Sequence, residues 1–179
     1  EAAARGADVI LVSGRTFLEP PAGVKYIPVW SAEEMCEVML KYQPDCDIIV
    51  GAAAVGDFRI KEVAAQKLKK KENQSEELTL TLVGTPDILK ALGQNKAPNQ
   101  IMVGFAAETE NLIANAQKKL ESKNLDFIVA NDVTMEGAGF ATDTNIVTII
   151  SRNGDIESHP KMSKRDVASI ILDKVVKLL

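Results

Sequence analysis

Short apolar runs alternate with helical patterns along most of this chain, and this alternation restricts its fold more than any other feature. Residues 47–53 are almost continuously apolar, which is typical of a strand whose sheet is covered on both faces. Between Ser31 and Pro44, apolar residues recur at intervals of three and four, as on the buried side of a helix. Repeated strand–helix units predict a three-layer α/β fold with a doubly wound, mainly parallel sheet.

The same patterns predict the remaining elements. Asn153-Gly154 is typical of a β-hairpin turn, and Ser163 caps a final helix. Thr85 is expected as the N-cap of another helix, with Pro86 at its first position. Further strands are predicted at 7–13, 24–29, 78–83, 100–106, 125–130, 145–151 and 156–158, and further helices at 109–123 and 164–179.

Length and composition favour one globular domain spanning residues 1–179, without a membrane span. The net charge of −4 argues against nucleic-acid or membrane-surface partners, because no basic excess is present. Cys36 and Cys46 show neither disulfide nor metal spacing, which favours a reducing, cytoplasmic compartment. His159 is expected to be an ordinary surface residue.

Residues 1–6 resemble the tail of a helix that ends at Gly6. A doubly wound domain normally opens with a strand and a tight loop before that helix. The chain is therefore expected to begin one strand late.

Four segments are candidates for chemistry, and each also has a structural interpretation. Residues 51–59 follow a central strand, where open α/β sheets bind ligands. Small residues such as Ala53 and Ala54 let a flat base or sugar approach the backbone, and Asp57 suits a ribose hydroxyl or a divalent cation. A tightly packed loop with a solvated Asp57 explains the same pattern.

The second candidate is the lysine run that begins at Lys67 and extends to residue 71. It is either a solvated face or a flap that brings ammonium groups onto phosphates. The third is the segment 84–89, where a helix start offers free N–H groups, although Asp87 there also suits helix stability alone. The fourth is the pair Lys119 and Lys123, which share one side of a helix or are plain surface lysines.

The ordered motifs AAVGDFR, KLKKKE, TPDIL, VGFAAET, KKLESKNLDFIVANDV and GF-x-TDTN together resemble bacterial, CTP-dependent phosphopantothenoylcysteine synthetase (phosphopantothenate–cysteine ligase). The resemblance extends from Gly6 to Leu179 and implies a Rossmann-like nucleotide-binding ligase domain. It implies that CTP with Mg²⁺ activates 4′-phosphopantothenate as an acyl-cytidylate, from which the cysteine amine displaces CMP in coenzyme A biosynthesis.

The resemblance also implies roles for individual residues. Lys67 would assist formation of the acyl-cytidylate, and Asp57 would contact the nucleotide or its metal. The other residues implied to form the nucleotide site are Ala53, Ala54, Pro86, Asp87, Ile88, Leu89, Phe105, Lys119 and Lys123. Members of the family are dimers, and we infer that the late hairpin is a dimerisation element. Many bacterial versions are fused to a flavin-dependent decarboxylase.

The family has an N-terminal strand and a glycine-rich loop that are absent from this sequence, so these residues alone are expected not to complete the ligation. Gly56 also replaces a more usual alanine. Two alternatives stay open: an NAD(P)-dependent oxidoreductase on a similar sheet, and a non-catalytic dimeric binding module. No GxGxxG fingerprint, P-loop or nucleophile elbow is present.

Overall fold

A computed structural model describes residues 1–69, 78–108, 111–132 and 142–179. In chain order the elements are β1 (Val9–Ser13), β2 (Val24–Pro28), α1 (Ala32–Tyr42), β3 (Ile48–Gly51), β4 (Phe58–Ile60), β5 (Leu82–Gly84), α2 (Ile88–Gln94), β6 (Ile101–Glu108), α3 (Leu112–Ser122), β7 (Phe127–Asp132), β8 (Thr144–Ser151), β9 (Ile156–Ser163) and α4 (Lys164–Val176). Single 3₁₀ turns lie at Ala3–Arg5 and Gln43–Asp45.

The central sheet has five strands in the order β3-β6-β7-β8-β9. The β3–β6 and β6–β7 pairs are parallel, whereas β8 and β9 add an antiparallel hairpin beside β7. This arrangement confirms the prediction of a mainly parallel α/β sheet with a late hairpin. The parallel strands end at one edge, so the loops that leave them lie close together.

The central sheet is covered on both faces, which confirms three layers. Alternate residues of β6 divide between the faces, because successive side chains of a strand point in opposite directions. Met102 and Ala106 pack with residues of α1, α2 and α3, whereas Val103 packs with Val167 and Ile171 of α4. Apolar burial on both sides explains why β6 and β7 are almost continuously hydrophobic.

Two small ladders stand outside the central sheet. β1 and β2 form a parallel pair, and β4 and β5 form an antiparallel pair. The strand predicted at 78–83 therefore corresponds to β5, which pairs outside the central sheet, and its partner β4 was not predicted. No helix in the described parts of the chain is both long and apolar enough to cross a membrane.

Several local predictions are confirmed by the structure. Ser31 and Ser163 cap α1 and α4, accepting the N–H groups of Glu34 and Asp166, each at 3.1 Å. The hairpin turns through Gly154 at φ 94°, a left-handed conformation that glycine adopts readily.

The predicted start of α2 is wrong. The N-cap is Asp87, whose carboxylate accepts the N–H of Lys90 at 3.1 Å, so α2 begins at Ile88 instead of Pro86. Thr85 does not cap the helix because its hydroxyl donates to the Gly56 carbonyl at 2.5 Å. The same threonine therefore fastens the loop after β3 to the start of α2.

Candidate functional site at the carboxyl edge of the sheet

A cavity of about 460 Å³ opens beside the carboxyl ends of β1, β2 and β3. Ala53 and Ala54, which the sequence places at the end of a strand, line this cavity. Their side chains are small and exposed, so a flat group can lie against the backbone there. A larger cavity of about 600 Å³ lies between the N-terminal turn and α4 and contains none of the predicted site residues.

Asp57 lies next to the segment that leads into α2. Its backbone carbonyl accepts the N–H of Thr85 at 3.0 Å, and Thr85 itself lines the cavity. The side chain of Asp57 is exposed, so its carboxylate is available to a ligand or cation. Two of the predicted segments, 53–57 and 85–89, are therefore joined by direct hydrogen bonds.

Lys123 is brought to the same region from a distant part of the sequence. Its ammonium donates to the Asp87 carboxylate at 2.9 Å. Burial raises the pKa of Asp87, but the hydrogen bonds from Lys123 and from the Lys90 N–H outweigh burial, and the net pKa lies below its ordinary value. The positive charges of Lys123 and, to a smaller extent, Lys90 also favour the ionised carboxylate.

Ile88 and Leu89 hold α2 against the sheet. Ile88 is buried in the core, whereas Leu89 is half-buried and packs over glycines of two neighbouring strands. A Cβ at Gly51 would lie 2.5 Å from the Leu89 Cδ2 atom, and one at Gly104 would lie 3.4 Å from its Cδ1 atom. The two glycines therefore let α2 lie close to the strand ends, with half-buried Pro86 just before it.

Of the three remaining predicted residues, Lys119 adjoins the Asp87–Lys123 pair, because its backbone carbonyl accepts the Lys123 N–H at 3.0 Å. Phe105 packs with the cluster under α4, on the sheet face opposite Leu89. Lys119 lies one turn before Lys123 on α3 and is half-buried. Lys67 is exposed in the segment after β4, and residues 70–77, which include the rest of the lysine run, lie outside the described residues.

Within the described residues, no three His, Cys, Asp or Glu side chains cluster as a ready metal site. A Mg²⁺ ion delivered with a nucleotide needs only one or two protein carboxylates, because phosphates and waters supply its other ligands. Asp57 is exposed and fits that single-carboxylate role.

The sequence reasoning missed part of the cavity wall. Ser13 is the last residue of β1, Gly14, Arg15 and Thr16 follow it, and Trp30 follows β2. Open α/β sheets bind ligands at the carboxyl ends of their strands. This rule pointed to residues 51–59, and applied to the predicted strand at 7–13 it would also have pointed to residues 13–16.

A three-layer α/β fold with a mainly parallel sheet, and with a cavity and a lysine–carboxylate pair at the carboxyl edge of that sheet, is a Rossmann-like domain. Open sheets of this class bind their ligands at the strand ends. Residues 1–179 match the family described as DNA/pantothenate metabolism flavoprotein C-terminal domain. The chain belongs to that family.

Relatives and solved structures agree with this assignment. The chain is 49% identical over 174 residues to the coenzyme A biosynthesis bifunctional protein CoaBC of Bacillus subtilis. The matched region covers 97% of this chain but only 42% of that protein. It is also similar to the crystal structure of the C-terminal domain of a CoaBC, with a TM-score of 0.79, 38% identity, and coverage of 97% of this chain and 76% of that one.

A more distant likeness concerns the fold alone. A Cab2 mutant in complex with phosphopantothenate-cysteine has a TM-score of 0.61 at 19% identity, covering 87% of this chain and 55% of that one.

Proposed function

We propose that this domain joins 4′-phosphopantothenate to L-cysteine in coenzyme A biosynthesis, with CTP as the activating nucleotide. The observation that supports this most is the geometry at the carboxyl edge of the sheet. There, the exposed strand end 53–57 is hydrogen-bonded to the segment that carries Asp87, and Asp87 holds the Lys123 ammonium. Family membership over the whole chain and the names of its relatives agree with this chemistry.

The reaction has two steps. A carboxylate oxygen of 4′-phosphopantothenate attacks the α-phosphorus of CTP, and pyrophosphate leaves. The cysteine amine then attacks the acyl carbon, CMP leaves, and the amine loses a proton. Bound Mg²⁺ would neutralise charge on the phosphates, with Asp57 as its protein ligand.

The residues of the chain would position and stabilise the reactants. Ala53 and Ala54 would allow the nucleotide to lie against the strand end, and Lys119 and Lys123 would bind its phosphates. Lys67 would stabilise the charge that develops as pyrophosphate leaves, which lowers the barrier when the ammonium is placed in advance. Pro86–Leu89 and Phe105 are proposed to complete the nucleotide site.

Several partners belong to the same proposal. The chain spans 42% of the length of the bifunctional relative, which supports a longer protein that also contains the flavin-dependent decarboxylase. A cytoplasmic homodimer remains a prediction, as does the role of the β8–β9 hairpin in it. This hairpin forms one edge of the central sheet and contacts α4.

The test is a product assay on the full-length protein with Mg²⁺, 4′-phosphopantothenate, cysteine and one nucleotide at a time. We expect mass spectrometry to find phosphopantothenoylcysteine and CMP when CTP is supplied, and no product with NAD(P). Absence of product with both CTP and ATP would refute the ligase. Thermal stabilisation by NAD(P) but not by CTP–Mg²⁺ would favour the oxidoreductase instead.

A comparison of two lysine variants in the segment 61–69 distinguishes a catalytic role of Lys67 from a general effect of positive charge. Lys67→Gln should abolish most turnover. Lys61→Gln removes the same charge from an exposed residue of the same segment and should not. Equal activity of the two variants would refute the catalytic role of Lys67, whereas the absence of CTP-dependent pyrophosphate release from the wild type as well would support the non-catalytic binding module.

A further inference from the structure

The Lys123 side chain extends along α2 to reach Asp87. Lys123 closes the C-terminal end of α3, and its backbone lies against Gly93 in the last turn of α2. Gly93 follows Asp87 by six positions, which is about 9 Å along a helix axis. The position of the ammonium beside Asp87 therefore depends on where the Lys123 backbone is held at the other end of α2.

Gly93 is the residue that allows this backbone position. A Cβ at Gly93 would lie 2.1 Å from the Lys123 carbonyl oxygen and 2.8 Å from its carbonyl carbon. Both atoms belong to the backbone, so no rotamer change could relieve the contact. The space that any side chain at Gly93 would need is thus already occupied by Lys123.

Hydrogen bonds hold the turn that follows α3, which contains Lys123 and Asn124, against Gly93. The Asn124 amide donates to the Gly93 carbonyl at 3.0 Å, and Asn124 adopts a left-handed φ of 54°. Arg152 of the hairpin donates to the Asn124 side chain at 2.7 Å and to the Leu125 carbonyl at 2.9 Å. The turn is therefore bound to α2 on one side and to the β8–β9 hairpin on the other.

We propose that Gly93 is a positioning residue for the ligase reaction: its missing side chain seats the Lys123 backbone so that the ammonium reaches the triphosphate beside Asp87. This rests on the function proposed above, in which Lys123 binds the nucleotide. Gly93 touches no substrate and acts only through Lys123.

The test is Gly93→Ala in the full-length protein, with steady-state kinetics for each substrate. Because the added methyl group displaces Lys123, we expect the KM for CTP to rise about tenfold, the effect of weakening one charge-assisted hydrogen bond. The KM for cysteine should change less than twofold. An unchanged KM for CTP in the folded variant would overturn the proposal.

Two comparisons exclude a merely structural effect. Val175→Ala opens a hole under α4, on the other face of the sheet, and should lower stability without changing the KM for CTP. In a Lys123→Gln background, Gly93→Ala should raise the KM for CTP less than twofold further, because no ammonium remains to be displaced. A further tenfold rise in that background would contradict the proposal.

One readout does not depend on turnover. Since Lys123 lowers the pKa of Asp87, carbon-13 NMR titration should show a higher pKa of Asp87 in Gly93→Ala than in the wild type. An unchanged pKa would overturn the proposal that Gly93 positions Lys123. If the wild-type protein makes no product from CTP, the proposed function fails while this titration still decides the role of Gly93.

A second variant covers the case in which Gly93→Ala does not fold. Asn124→Gly keeps the left-handed turn but removes the amide that bonds Gly93. It should produce the same two changes, a higher KM for CTP and a higher pKa of Asp87, to a smaller extent. No change in either quantity would overturn the proposal.

Discussion

Asp126 stabilises the turn that carries Lys123, and its removal should be costly. Its Oδ2 atom accepts the Lys96 ammonium at 2.6 Å and the Met102 N–H at 2.7 Å. The Lys96 side chain is only 8% exposed and Met102 is fully buried. Asp126→Ala would therefore remove the carboxylate from a buried cation and from a buried N–H group, and the Lys96 ammonium would keep a long contact of 3.5 Å to the Asn124 carbonyl.

The loss in the free energy of unfolding can be estimated from these two contacts. Removing one partner of a buried ion pair costs about 3–5 kcal/mol. Asp126 is itself 24% exposed, so water relieves part of this cost and we take the lower end, about 3 kcal/mol. For a domain of this size, that loss should lower the Tm by about 6–12 °C.

Thermal and urea unfolding followed by circular dichroism measure this change, because the exposed Trp30 is a poor fluorescence reporter of the core. Lys96→Met in the same chain removes the orphaned cation and should restore part of the stability of Asp126→Ala. A Tm within 2 °C of the wild type (about 1 kcal/mol or less) would show that Asp126 does not stabilise the fold through a buried ion pair. A double variant no more stable than Asp126→Ala would show the same.

Three further predictions concern the candidate site. The pKa of Asp87 is lowered, so its ionic contribution is present above pH 3.8 and lost as the pH falls through its folded pKa. Asp87→Asn keeps the cap and should be slightly less stable than wild type in urea unfolding at pH 7, by less than about 1 kcal/mol, and equally stable in strong acid. Lys67→Gln should reduce kcat about 100-fold with little change in the Kd for CTP, measured by rapid kinetics and calorimetry. Gly104→Ala places a Cβ 2.5 Å from the Leu125 Cδ1 atom and should cost about 1–3 kcal/mol in urea unfolding, since a flexible side chain can yield.

The elements that follow from local patterns were predicted well. The apolar strand at 47–53, the caps at Ser31 and Ser163, and the hairpin around Asn153-Gly154 each depend on neighbouring residues, so a single sequence contains the signal. By contrast, β4 has only three residues, all exposed, which is too short for an apolar period to show.

The arrangement of the site depends on contacts between distant residues and could not be read from the sequence. Asp87 and Lys123 are 36 positions apart, and they meet only because α2 packs on the turn after α3 through Gly93. Thr85 is a residue type that often caps helices, but its hydroxyl donates to the Gly56 carbonyl, a partner distant in the sequence. The placement of Lys67 toward a shared pocket stays a prediction.

A crystal structure of the full-length protein with CTP and Mg²⁺ would show whether Lys123, Lys67 and residues 53–57 meet around one triphosphate. We expect that the nucleotide lies over residues 53–57, that the Lys123 ammonium leaves Asp87 or bridges it to a phosphate, and that Lys67 approaches the triphosphate. A triphosphate bound elsewhere, with Lys123 still paired only to Asp87, would rule out this site as the nucleotide site.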